Sequence, residues 1–159
     1  MPLSKHYVDT QIHPQTFDPQ TLGRELETAL PEAVFAVLLG SARDGTVAAH
    51  SDLDIAVYLN NKPSLETWAC VEEVVRRHLP DTRTDLGFLN QAEPVYRFEA
   101  LKGRLLFARD LETWVRFFSV TCREYEHQML DYERQRQYRM AREMACNRTS
   151  TRQSCTTLR

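Results

Sequence analysis

The sequence predicts an α+β fold of mixed α/β character: a small mixed sheet of about four strands, helices covering one face, and a long C-terminal helix. Three observations carry this. Two apolar runs of strand length, Val34–Leu39 and Leu53–Leu59, flank a polar loop. Segments with apolar residues at every third or fourth position alternate with them, in the order helix, strand, loop, strand, helix, strand. The last periodic segment runs from Asp110 to about Ala145. Residues 1–146 form one domain, and 147–159, rich in Ser, Thr and Arg, read as a disordered tail.

The elements follow in order. Residues 1–16 are polar and read as a loosely attached arm. Asp18 caps a helix with Pro19 in its first turn. Leu22, Leu26 and Leu30 give it one apolar side, and Pro31 ends it. The near-continuous apolar run Val34–Leu39 implies a strand buried on both faces or centrally placed. A polar loop spans Ser41–Ser51, and the next strand is Leu53–Leu59. Asn60–Pro63 is a turn. Ser64 caps a second helix to about Leu79, with Leu65, Trp68, Val71 and Val75 on one side. In the strand Thr84–Leu89, Asp85, Gly87 and Leu89 face one way, Leu86 and Phe88 the other. The latter two pack into the helix layer, and Gly87 leaves room beside Asp85. Pro94 opens a short helix to Lys102, with Gly103 as its C-cap, and Arg104–Phe107 is a short strand. In the long helix, Leu111, Trp114 or Val115, Phe118, Cys122, Tyr125, Met129 and Tyr132 follow helical spacing, with core contact as far as about Tyr125. Beyond it, Tyr132, Arg136 and Tyr138 lie among charges, a pattern suited either to solvent or to docking a partner.

Composition excludes several classes. Of 159 residues, 42% are hydrophobic and 26% charged, as in ordinary globular proteins, and the net charge is −2, which gives no basic surface for nucleic acid. No apolar stretch approaches the ~18 residues of a membrane span, and no signal peptide is read at the N-terminus. The cysteines (Cys70, Cys122, Cys146, Cys155) form no Cys-x-x-Cys pair, and Cys70 and Cys122 read as buried thiols, so a reduced cytoplasm fits. The histidines show no metal-ligand spacing.

The chemistry concentrates around the central pair of strands. Side chains of a strand alternate, so Asp52 and Asp54 point the same way and repel. A cation neutralises such a pair, and hard oxygen ligands favour Mg²⁺ or Mn²⁺. Gly40-Ser41 stands at a strand end, where backbone N–H groups reach a phosphate and glycine admits its close approach. A phosphate cradle beside a divalent-cation site points to nucleotide chemistry.

Gly40-Ser41, ten intervening residues, and Asp52-Leu53-Asp54 resemble the signature of the polymerase-β-type nucleotidyltransferases, in particular their minimal, MNT-type antitoxin branch. Asp85 stands where the family's third acid is expected. The resemblance covers roughly residues 20–130, and its end includes Arg97-Phe98-Glu99 and Gly103–Phe107. One departure is Arg43, where the family's Gly-Ser-x-Ala-x-Gly commonly has a small residue.

The resemblance implies two-metal transfer of a nucleoside monophosphate to a hydroxyl, with pyrophosphate released. Asp52, Asp54 and Asp85 would be the catalytic, metal-holding carboxylates (Mg²⁺ or Mn²⁺), with Asp85 nearest the acceptor. Gly40, Ser41 and Arg43 would bind the nucleotide, with ATP as co-substrate. For the short MNT-type branch it further implies an antitoxin that transfers AMP to a tyrosine of a HEPN-type RNase toxin, its partner in a hetero-oligomer. The alternatives are a small-molecule, antibiotic-type nucleotidyltransferase and a non-catalytic antitoxin that neutralises by contact.

Overall fold

The computed structural model describes residues 13–154, with side chains placed as far as residue 144. The chain divides after Thr121 into two units. The first contains a four-stranded sheet of order β5-β4-β2-β6, from β2 (Ala33–Leu38), β4 (Leu53–Leu59), β5 (Thr84–Phe88) and β6 (Arg104–Ala108). A two-stranded ribbon pairs β1 (Gln15–Thr16) with β3 (Thr46–Val47). Central β2 runs antiparallel to β4 and β6, and β5 joins β4 in parallel through the helix α2 (Leu65–His78). The mixed sheet expected from the sequence is therefore present, and β4 has the predicted bounds.

One face of the sheet carries α1 (Pro19–Ala29) and α2. Leu22, Leu26 and Leu30 meet Val71, Val74 and Val75 over Ala36, Leu38, Ile55 and Val57, with Leu86 and Phe88 alongside. Asp18 caps α1, its carboxylate accepting from the backbone N–H groups of Gln20 and Thr21 at 3.1 Å each. The opposite face is covered at one end by α3 (Pro94–Leu101) and the start of α4 (Leu111–Ser154), where Phe35, Val37, Ala56 and Leu89 pack with Ala100 and Phe117. The helices thus occupy part of the second face as well as the whole of the first, and the open area shrinks to one end of the sheet. Arg109 fastens β6 to α1, donating to the carbonyls of Ala33 at 2.9 Å and Leu30 at 3.3 Å and to that of Glu27.

Several expectations change in phase. In α2, Leu65 is 88% exposed and Trp68 43% exposed; the inward residues are Thr67, Val71, Val74 and Val75. The helix start explains this: the Thr67 hydroxyl donates to Glu32 at 3.0 Å and lies 3.0 Å from the Ser64 hydroxyl, which turns Thr67 inward. In α4, Leu111, Val115 and Phe118 are exposed, whereas Trp114 and Phe117 reach the ring of Phe35 at centroid distances of 4.9 and 5.1 Å. Gly103 is not a left-handed cap. The C-cap of α3 is Lys102 in right-handed conformation, and a Cβ on Gly103 would meet Val37 Cγ1 at 2.5 Å and the Leu38 carbonyl oxygen at 2.6 Å. The expected loop after Ser41 holds a 3-10 turn, Gly40–Asp44, and β3. Cys70 and Cys122 are free, half-buried thiols.

The second unit is the remainder of α4, which continues as helix to Ser154, into the stretch assigned to the tail; the polar arm as far as residue 12 and residues 155–159 lie outside the described residues. Tyr132, Arg136 and Tyr138 are exposed there, with Arg136 paired to Glu133 at 3.0 Å. Among the described residues, no helix is long and apolar enough to cross a membrane.

Candidate active site

The open end of the second face is built from the starts of β4 and β5 and the turn after β2. Asp54 is the second residue of β4 and Asp85 the second of β5. The parallel register pairs them directly, on backbones about 4.8 Å apart. Asp52 precedes β4 and is exposed. Neighbouring strands thus bring the second and third acids of the sequence reading, Asp54 and Asp85, to one edge, with the first, Asp52, at its rim.

The turn is locked onto Asp54. The N–H of Leu39 donates to the Asp54 carbonyl at 2.9 Å. Gly40 follows with φ 64°, and a Cβ there would lie 2.9 Å from Asp54 Oδ2. Both the left-handed backbone and the missing side chain are needed for the turn to rest on this carboxylate. Ser41 is exposed beside it. The Arg43 guanidinium donates to the carbonyls of Gly40 at 3.0 Å and Lys102 at 2.7 Å, and Arg104 donates to the Arg43 carbonyl at 3.2 Å. Arg43 therefore ties the turn to the end of α3, and this replaces the small residue common at its place. Gly40, Ser41, Arg43, Glu99, Lys102 and Gly103 line an open hollow of about 270 Å³, with the Lys102 ammonium 2.6 Å from the Glu99 carboxylate.

Electrostatics singles out Asp54. Burial pushes its carboxyl above the ordinary range, and the like charges of Asp85 and Asp52 push it further. A divalent cation would relieve all of this at once, so the donor chemistry fits a hard ion held by Asp52, Asp54 and Asp85. Among the described residues, no three such side chains already converge as a finished cage; the fit lies in the paired acids and their mutual repulsion.

Sequence reasoning missed Tyr96. The room left by Gly87 is filled by this ring from α3, whose hydroxyl lies where a Gly87 Cβ would be, 1.9 Å away. Burial, then the charges of Asp85 and Asp54, hold the phenol's pKa above its usual value. A side-chain-free position two residues beyond Asp85 was the available signal, but its occupant comes from another element.

A family model described as polymerase beta, nucleotidyltransferase matches residues 21–112, a span that includes every residue of this acidic end. No curated protein matches the sequence. Among solved structures, a mutant of the toxin–antitoxin MntA–HpeT is similar at 22% identity and a TM-score of 0.61, over 80% of this chain and 98% of that one. The tri-AMPylated Shewanella oneidensis HEPN toxin in complex with MNT antitoxin matches at 21% identity and 0.56, over 80% and 99%. A toxin–antitoxin with AMP-PNP matches at 23% and 0.57, over 77% and 98%. These likenesses concern the fold. With the family model spanning the sheet, the turn and all three aspartates, the chain belongs to the polymerase-β nucleotidyltransferase family.

Proposed function

We propose that this chain is the antitoxin of a toxin–antitoxin pair and acts as a protein adenylyltransferase, moving AMP from ATP to a tyrosine of a HEPN-type RNase toxin. The observation that carries this reading is the Gly40 turn resting on Asp54, itself paired with Asp85: phosphate cradle, acid and second acid in contact order. The similar structures named as MntA and MNT antitoxins, one with an AMPylated HEPN toxin, support the choice of partner and acceptor.

In this reading Gly40 and Ser41 orient the triphosphate, and Arg43 keeps their turn in shape. Asp52, Asp54 and Asp85 would hold Mg²⁺ or Mn²⁺, which would supply charge neutralisation for the reacting phosphate. Asp85 lies on the acceptor side and takes the proton from the incoming hydroxyl. A phenol with a pKa near ~10 is neutral at pH 7, so a positioned base matters. Exposed Tyr132, Arg136 and Tyr138 on α4 contact the toxin, and the pair works in the cytoplasm.

The test is intact-mass spectrometry of the HEPN-type toxin proposed as partner, incubated with MgATP and this protein. The toxin gains one or more AMP increments on tyrosine. A toxin that is neutralised without gaining mass would transfer the assignment to neutralisation by contact.

A further inference from the structure

The mechanism above leaves Tyr96 unused, yet its place is specified by a second residue. The ring lies against Gly87 so closely that a Cβ there would be 1.9 Å from the hydroxyl oxygen, 2.7 Å from Cζ and 3.0 Å from Cε1. Only glycine leaves this position to the phenol. Gly87 is on the same face as Asp85, two residues along β5, or roughly 6.6 Å. Asp85 pairs with Asp54, and Gly40 rests on the Asp54 carboxylate. The Gly-Ser turn, the two acids and the Tyr96 hydroxyl therefore succeed one another across the open end of the sheet. Tyr58, on the same face, is different: its ring is stacked on Phe35 at 5.0 Å and packed on Phe117 at 5.4 Å, within the closed end.

We propose that Tyr96 is a self-modification site: without a partner tyrosine, the chain transfers the nucleoside monophosphate of a nucleoside triphosphate to its own Tyr96 hydroxyl. This rests on the reading under Proposed function and adds a second acceptor to it. The phenolic oxygen forms a bond to the α-phosphorus. The bond from that phosphorus to the bridging oxygen breaks, and pyrophosphate leaves with the electron pair. The phenolic proton passes to the Asp85 carboxylate or to water. No reactant besides the triphosphate is consumed.

The full chain is incubated alone with MgATP, weighed intact and then mapped by peptide mass spectrometry. The expected result is one AMP increment, mapped to Tyr96, absent in Asp54→Asn and unchanged in Tyr58→Phe. Mapping locates the group directly, so the result does not depend on how a Tyr96 variant folds. If the chain gains no mass while the same preparation modifies the toxin, or if the increment maps to another residue, self-modification at Tyr96 is wrong and the function stands. If neither chain nor toxin gains mass, both fall. If the chain gains the group on Tyr96 and the toxin gains none, self-modification holds and the toxin assignment falls.

Discussion

The two ends of one sheet face make the instructive comparison. Along β4, Asp54, Ala56 and Tyr58 point to the same side. At the Tyr58 end, Phe35, Trp114 and Phe117 close over the strand with ring contacts of 4.9 to 5.4 Å. At the Asp54 end, four residues away along the same backbone, the carboxylate is half-buried and the like charges of Asp85 and Asp52 act on it. The aromatic end holds the face together and the acidic end carries strain of charge. Packing and the proposed chemistry thus fall at opposite ends of one strand, and substitutions at the two ends are expected to differ in kind.

The largest effect on folding belongs to the closed end. Phe35 is fully buried and touches three other rings. Phe35→Ala removes them, at a cost of about 3–5 kcal/mol, which a denaturant titration reads directly. A loss under about 1 kcal/mol would mean the rings are not what closes this face.

Next comes ligand linkage at the open end. MgATP at a hundredfold excess over its dissociation constant stabilises the folded chain by about 2.7 kcal/mol. A thermal melt shows this rise in wild type and a smaller one in Asp52→Asn. Equal rises in both would place the binding elsewhere.

A smaller loss is expected at the turn. Ser41→Ala removes one hydroxyl from the phosphate cradle, a hydrogen bond to a charged group worth about 1.5–3 kcal/mol, so nucleotide KM rises roughly tenfold or more with an unchanged melting temperature. An unchanged KM would leave phosphate binding to the backbone alone.

The smallest effect concerns pH in the metal-free protein. The carboxyl of Asp54 is raised in the folded state, by burial first and then by Asp85 and Asp52. The folded chain then binds this proton more tightly than the unfolded one, so this group's contribution falls as pH rises above the ordinary carboxylate value of ~3.9. Asp54→Asn removes the penalty, and its melting temperature at pH 7 exceeds wild type by about 1–2 °C. The difference narrows as pH falls towards 4. A variant less stable than wild type at pH 7 would contradict the sign.

The sequence made the chemistry legible because that part of the argument is local. Asp52 and Asp54 follow from strand alternation within one short stretch, Asp85 follows from the family resemblance, and β4 has bounds marked by its own residues. Helix phase was less legible. Leu111, Val115 and Phe118 share helical spacing with the rival stripe Trp114, Phe117 and Thr121, and only the ring of Phe35, from a distant strand, chooses between them. Leu65 and Trp68 misled for a similar reason, since Glu32 fixes the rotation of α2 through Thr67. Tyr96 was invisible because its meaning depends on Gly87, a residue with no side chain to announce a contact.

The central claim is that the acidic end performs nucleotidyl transfer while the aromatic end maintains the fold. The most direct measurement pairs two readouts on wild type and Asp54→Asn: AMP gained by the toxin in MgATP, by intact mass, and the metal-free melting temperature. The account predicts that transfer falls on the order of a hundredfold or more while the melting temperature holds or rises. Transfer at the wild-type rate by Asp54→Asn would contradict it.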